Sequence, residues 1–436
     1  MKIGHSVECS KSELDIFSVP PTQTSIEDGQ YDDIPAHASF MTSNTIRFDI
    51  PGESIHYINL NETEIHVVGT ISKKKDPTTG YTTSSKVGPV NNFLHSLFSQ
   101  VNISINNQPV EISNDSYQIR SYLENLLSYN SMEKVCMLEG DIFNKDDFKC
   151  FNSTALAKSD TILTNNGFIL RRKKFLNNKS VQMQGKLHCD LFNLSHYMVN
   201  SVAISLTLTK SSPSYYLMGD DALDYNFNYE ECFLRIRRQT ISPSVMAAHA
   251  TIAEEATFKY PLKRVILKPF VIPTSSTKFT ISPICKGIMP TRLICGFLKT
   301  TAYDGDISEN PFNFQNFGIT SLILKFNSKS VPISNGLKFD FENDKYLDGY
   351  RSIVKICRDL DITYEEYKNG YTLFCFDLNP DICSCEHFSL LKDGTLDLEL
   401  IRKTPGSESI TLIIYTENTN NLEINRIRQA SFDYQI

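Results

Sequence analysis

At 436 residues the chain exceeds what one hydrophobic core usually supports, so two domains of roughly 200 residues each are expected. Hydrophobic residues at 41% and charged residues at 21% are ordinary globular values that exclude a wholly disordered chain. The net charge of −7 excludes a protein whose main surface neutralises nucleic-acid phosphates.

Residues 1–30 read as an arm: Ser, Thr and Pro surround a short apolar group of Leu14, Ile16, Phe17 and Val19, which cannot fold alone and needs a surface to dock on. Residues 46–50, 57–60 and 65–71 alternate as strands, with turns expected at Pro51-Gly52 and Asn61-Glu62. Val101, Ile103 and Ile105 line one face of a further strand, closed by Asn106-Asn107-Gln108-Pro109, because Asn tolerates left-handed backbone and Pro cannot continue a ladder. From Ser116 onward, Ile119, Leu123, Leu126 and Leu127 stripe an amphipathic helix. Residues 132–164 show little periodicity and read as a long, interface-forming excursion. Strands resume at 181–187 and 202–209, and Ser211-Ser212-Pro213 and Gly219-Asp220-Asp221 break the chain.

The second half repeats this texture. Strands are expected at 231–239, 265–272, 292–298, 371–378, 396–401 and 410–416, with an Ala-rich helical connector at 245–257 and a Phe-rich loop at 303–317. Residues 322–326 form a strand, 327–332 its turn, and Leu347, Tyr350, Val354 and Cys357 stripe a helix, so the strand, turn and helix of the first half recur about 221 residues later. The expected division is an arm at 1–30, a first domain at 31–215 and a second at 225–436. Many short strands with long connections and few helices mean a sandwich or barrel class.

Catalytic motifs are absent: no nucleophile elbow, no His-Glu-x-x-His helix and no phosphate-cradling Gly-rich loop occur. Eleven Cys without framework spacing suit a reducing compartment, and most are expected to act as small buried hydrophobes. No leader pattern is seen, and no run reaches the 18 apolar residues of a membrane span. Cys383, Cys385 and His387, near Cys375, lack the second well-spaced pair of a zinc site; Asp304, Asp306 and Glu309 lack a calcium-loop spacing. His188 and His196 read as independent polar residues, and the basic runs 73–75, 171–174 and 235–238 as solvated faces. No metal or other cofactor is expected.

Residues 11–26, opening Lys11-Ser12-Glu13-Leu14-Asp15-Ile16-Phe17, resemble the N-terminal signature of the major capsid protein of Polinton (Maverick) elements and the related adintoviruses. Residues 87–101 (Val87-Gly88-Pro89-Val90-Asn91-Asn92-Phe93), 260–273, 310–314 (Asn310-Pro311-Phe312-Asn313-Phe314) and 369–378 are similar to the same family. The resemblance implies an all-β tandem double jelly-roll of two eight-stranded β-sandwiches with short inserted helices. It implies no enzyme but a capsomer: a homotrimer of pseudo-hexagonal outline that tiles an icosahedral shell in the virion, made in the host cytoplasm. The implied partners are other copies of the chain in the trimer and laterally, penton and minor capsid proteins, and packaged double-stranded DNA only indirectly. Leu14, Ile16, Phe17, Val19, Phe312, Phe314 and Phe317 are then candidate inter-subunit contacts. The alternative is a cellular scaffold descended from such an element, keeping the sandwiches without shell assembly.

Overall fold

The computed structural model describes residues 9, 11–75, 81–83, 85–157, 163–357, 360–380 and 387–432. Its first eight long strands are β1 (Ile26–Pro35), β2 (Thr45–Ile50), β3 (His56–Lys73), β4 (Phe98–Ile105), β5 (Gln108–Ile112), β6 (Val181–Lys186), β7 (Ile204–Lys210) and β8 (Tyr225–Ile241). They form two four-stranded antiparallel sheets of order β1-β8-β3-β6 and β2-β7-β4-β5. Alternation puts Ile65, Val67, Leu234 and Ile236 of one sheet against Phe48, Ile103, Leu206 and Leu208 of the other, and all of these are buried.

The next eight are β9 (Phe258–Ile272), β10 (Lys278–Ile288), β11 (Arg292–Lys299), β12 (Ile319–Phe326), β13 (Lys329–Ser330), β14 (Leu373–Asp377), β15 (Asp393–Arg402) and β16 (Ile410–Ile424). Their sheets run β9-β16-β11-β14 and β10-β15-β12-β13, with short strands Leu337–Lys338 and Ala430–Phe432 added beside β12 and β16. Subtracting eight from each label returns the order of the first sandwich. The chain is therefore two jelly rolls in tandem, as the family resemblance implied. Helix α1 (Tyr117–Ser128) lies between β5 and β6, and helix α5 (Leu347–Ile356) lies in the same place between β13 and β14.

The repeated turn is a repeated physical device. Asn106 and Asn107 have φ of 46° and 65°, and Asn327 and Ser328 have φ of 47° and 67°, the left-handed pair that a two-residue hairpin turn requires. The Asn106 Oδ1 accepts the Ala203 amide at 3.0 Å, and the Asn327 Oδ1 accepts the Thr395 amide at 2.9 Å. In both sandwiches one Asn thus closes the hairpin and ties it to the neighbouring strand.

Four expectations change. Strand β8 pairs with β1 and β3 of the first sandwich, so that unit extends to Ile241, past the expected end at 215; the connector is helix α4 (Pro243–Ile252). The break at 211–221 is a connection between two strands of one sandwich, its Tyr216, Leu217 and Met218 buried in the core. Similarly, β1 begins at Ile26, so the last residues of the expected arm are in a sheet. Asn61-Glu62 is a bulge inside the continuous strand β3, where the register slips between Arg235↔Glu64 and Arg237↔Asn59. Finally, α5 packs on its own sandwich through Gly349 and Ile353, while Leu347 and Val354 of the expected stripe face outward. At Gly349 the helix backbone lies so close to Tyr367 and Phe339 that a Cβ there would meet both below 3 Å.

Replacing Asn327 by Leu removes both the left-handed tolerance and the bond to Thr395. The variant is expected to lose about 1–3 kcal/mol in urea unfolding, whereas Asn327→Gly, which keeps the backbone freedom, should lose about 1 kcal/mol.

Candidate assembly site

The functional geometry of a duplicated sandwich lies where its two halves meet. Helix α1 buries Ile119, Leu123 and Leu126 in the first sandwich, which turns Arg120, Glu124 and Leu127 toward the second. Arg120 donates to Glu111 at 2.9 Å, to Glu124 at 2.9 Å and to Asp190 at 2.6 Å. Two of these carboxylates also reach across the seam. Asp190 accepts the backbone N–H of Val265 in β9 at 3.2 Å, and Glu124 accepts the hydroxyl of Tyr415 in β16 at 3.2 Å. Glu124 further contacts the His188 ring at 2.7 Å.

One guanidinium thus faces three buried carboxylates, and two of them, Glu124 and Asp190, are moved in opposite directions. Burial raises the Glu124 carboxyl, but Arg120 and the His188 contact outweigh that and bring it down to about 2. Asp190 is pushed up to about 7, by burial and then by the neighbouring Glu111 charge. Burial holds His188 below its usual value despite Glu124.

A second cluster centres on Asp146, in the 132–164 excursion. Its Oδ1 accepts from Arg171 at 2.6 Å and from Asn165 at 2.8 Å. From the second sandwich, Asn310 donates to its Oδ2 at 3.1 Å and Tyr371 donates to its backbone carbonyl at 2.6 Å. Arg171 lies on α3 (Asn166–Phe175) and is fully buried, as is Asp146. Of the run 171–174, Arg171 and Arg172 are therefore not on a solvated face, while Lys173 is exposed: Arg171 also donates to Pro89 and Asn144 carbonyls, and Arg172 to those of Thr82, Thr83 and Ser85. Arg238 of the run 235–238 is likewise buried, against Asp32 and Glu53.

Around these charges the seam is aromatic and ionic. Phe312 stacks on Tyr122 with ring centroids 4.2 Å apart and an interplanar angle of 10°. Phe151 packs edge-on to Tyr371 at 5.0 Å and occupies the space where a side chain at Gly370 would project, which with φ of 123° leaves only glycine suited there. At the rim, Lys145 pairs with Glu366 at 2.9 Å and Lys149 with Glu365 at 2.7 Å. At the other end the last strands return to the first sandwich: Arg428 donates to Asn200 at 2.8 and 2.9 Å, Asn106 donates to the Arg428 carbonyl at 2.7 Å, and the Ala430 amide donates to Gln108 at 3.1 Å. This is an arrangement for holding two bodies in one orientation.

The candidate contact residues separate into two groups. Leu14, Ile16, Phe17 and Val19 are between 73 and 96% exposed. Phe312 and Phe314 are fully buried by their own chain, so both leave the set of surface contacts; a Phe in a loop carries no mark of which surface it meets, and here it meets Tyr122. Phe317 is partly buried against the core. Sequence reasoning missed Arg120, Asp146 and Arg171; the only signal was basic and acidic residues embedded in apolar stretches.

Among the described residues no group of three or more His, Cys, Asp or Glu could hold a metal ion. Cys383 and Cys385 lie outside the described residues. Of the acidic loop, Asp306 accepts from Ser308 and Glu309 from Lys299. No helix among the described residues is long and apolar enough to cross a membrane.

No family model matches the chain. It is 22% identical over 436 residues to an uncharacterised protein of Caenorhabditis elegans, F54H12.2, covering 95% of this chain and 99% of that one. Among solved structures it is similar to a chain of the Sputnik virophage, with a TM-score of 0.66 and 12% identity over 99% of this chain and 93% of that one. The major capsid protein of mavirus gives 0.53 at 10% identity, with 98% and 95% covered, and that of Faustovirus 0.55 at 8%, with 95% and 93% covered. At such identities the likeness is one of fold, and it is to double jelly-rolls over the whole length of both chains.

Two outcomes follow from the buried charges. Arg171→Met strands the Asp146 carboxylate and is expected to cost about 3–5 kcal/mol in denaturant unfolding, part of which the double variant with Asp146→Asn recovers. Asp190 has a folded value above its unfolded one of about 3.9, so its contribution is full below about pH 4 and is lost as pH rises through about 7. Asp190→Asn, which keeps the acceptor for Val265, should therefore gain stability relative to the unaltered protein as the pH rises from about 4 to about 8, read from paired thermal melts.

Proposed function

We propose that this chain is the major capsid protein of a Polinton-type element or related DNA virus, a capsomer that assembles as a homotrimer. The observation that carries the reading is the pair of like sandwiches locked by a buried polar and aromatic seam. Two similar bodies held rigidly in one chain give, under three-fold symmetry, six similar lateral faces, so a single protein can tile a facet with neighbours on all sides. The fold-level likeness to capsid proteins of virophages and large DNA viruses along the whole chain supports it, as does the family resemblance of residues 11–26 and 87–101. No reaction is part of this function; its chemistry is burial of obligate interfaces, for which the exposed arm with Leu14, Ile16, Phe17 and Val19 supplies an apolar tie. Penton, minor capsid and packaged-DNA partners belong to the same reading, with the virion as the final location.

The nematode relative motivates a second reading, a host-genome copy kept as a scaffold that retains the sandwiches without the shell.

Light scattering of the purified protein, with negative-stain imaging of the same fraction, separates the two. The capsomer reading expects three times the 49.5 kDa chain mass and a hexagonal outline. A species that stays a single chain at high concentration would remove it in favour of the scaffold.

A further inference from the structure

The two sandwiches carry the same four-residue platform on the outer face of the same sheet, and among the described residues only one of the two platforms is covered. In the second sandwich, Tyr415 and Glu417 of β16 lie opposite Ile294 and Arg292 of β11. In the first, Phe233 and Arg235 of β8 lie opposite His66 and Glu64 of β3. Directly opposed residues of an antiparallel pair share a face, and residues two apart on a strand share it as well. Each platform is thus an aromatic residue followed two positions later by a charge, set against an opposite charge on the neighbouring strand, with the polarity exchanged between sandwiches.

Within the chain, the second platform is covered by α1 of the first sandwich. Leu123, Glu124 and Leu127 close with Arg292, Ile294, Tyr415 and Glu417 around a cavity of about 270 Å³. Among the described residues the first platform has no such cover. Phe233, Arg235 and Arg237 are only half-buried, Tyr31 of β1 is exposed beside them, and the surface is already ordered. Arg235 is held by Asp33 at 2.7 and 2.8 Å, Arg237 lies over the Tyr31 ring at 4.8 Å, and His66 stacks on Phe233 at 4.4 Å. His66 is 2% exposed, yet neither of its ring nitrogens has a hydrogen-bond partner among the described residues. The half-buried Phe233, Arg235 and Arg237 and the exposed Tyr31 are what this face offers to a body packed on it.

The element that would complete it stands on the other half of the molecule. Helix α5 occupies in the second sandwich the β13–β14 connection that α1 occupies, between β5 and β6, in the first. Its outer side carries exposed Leu347, Arg351 and Val354, apolar residues about a basic one. Where the acidic Glu124 of α1 covers a platform with Arg292 on its inner strand, the basic Arg351 of α5 matches a platform with Glu64 there.

We propose that the face formed by Tyr31, Glu64, His66, Phe233 and Arg235 is the seat of the second sandwich of another copy of this chain, received through α5. The inference rests on the capsomer reading and names its inter-subunit contact. The contact repeats between chains the step already made within one. It is heterologous, each copy offering a seat at one end and a helix at the other, so it terminates only by closing into a ring.

The test uses full-length protein with two surface variants, each checked for an unaltered melting temperature: a seat variant, Tyr31→Glu with Phe233→Ser, and a helix variant, Leu347→Glu with Val354→Glu. Light scattering over a concentration series is expected to show three chains for the unaltered protein. Each variant alone should need at least tenfold more protein to associate. An equimolar mixture should give a species of two chains, because one live seat meets one live helix and the ring cannot close. If either folded variant keeps the three-chain mass at unaltered concentrations, or if the mixture stays monomeric, the seat and helix are wrongly assigned while the capsomer stands. A monomeric unaltered protein would overturn both.

Discussion

Asp146 is the point on which the two halves of the molecule depend. A carboxylate removed from water must be matched by a positive charge and by donors for its remaining lone pairs, and here the matching groups come from both sandwiches. Arg171 and Asn165 reach it from the first and Asn310 from the second, where Tyr371 also donates to the Asp146 backbone carbonyl. Sliding one sandwich over the other would take the Asn310 donor from Oδ2 and leave that oxygen buried and unmatched. A purely apolar seam would hold the halves together equally well, yet many alignments of it would be nearly equal in energy; the directional bonds at Asp146 and Arg120 select one. For a protein whose proposed role is to tile, the angle between its halves matters more than their affinity.

The seam is also economical of elements. The second sandwich lays one sheet, β9-β16-β11-β14, against its own core on one side and against the first sandwich on the other. Residues 410–416 are in consequence buried at every position, a continuous apolar run in place of the alternation expected where one face meets water. The equivalent strand β8 of the first sandwich keeps the alternation from Cys232 to Arg237, because among the described residues no second body packs on its outer face. Two strands in the same topological place thus differ in pattern for one reason, the presence or absence of a body packed outside them.

That difference was open to reading before any coordinates. Leu412 to Tyr415 reads as apolar throughout and Glu231 to Gln239 as mixed, which is the mark of strands with two covered faces and one. The duplicated hairpin was legible too, because Asn106-Asn107 and Asn327-Ser328 carry conformational demands that few residues meet. The boundary between the halves was misplaced because Ser211-Ser212-Pro213 and Gly219-Asp220-Asp221 break the chain as strongly as a linker does. Local composition does not say whether the strand after a break returns to the sheet before it.

Local chemistry in the sequence determined the all-β class, the repeat, the turns and the helix at the same place in each half, since each depends on backbone preference and periodicity within about ten residues. Tertiary structure alone decided where Arg120, Arg171 and Asp146 sit, that Phe312 and Phe314 turn inward, and which sheet face is left uncovered. Those outcomes depend on pairs such as Asp146 with Asn310 and Glu124 with Tyr415. The partners are distant in sequence, and only the packing of one sandwich on the other brings them within hydrogen-bond reach.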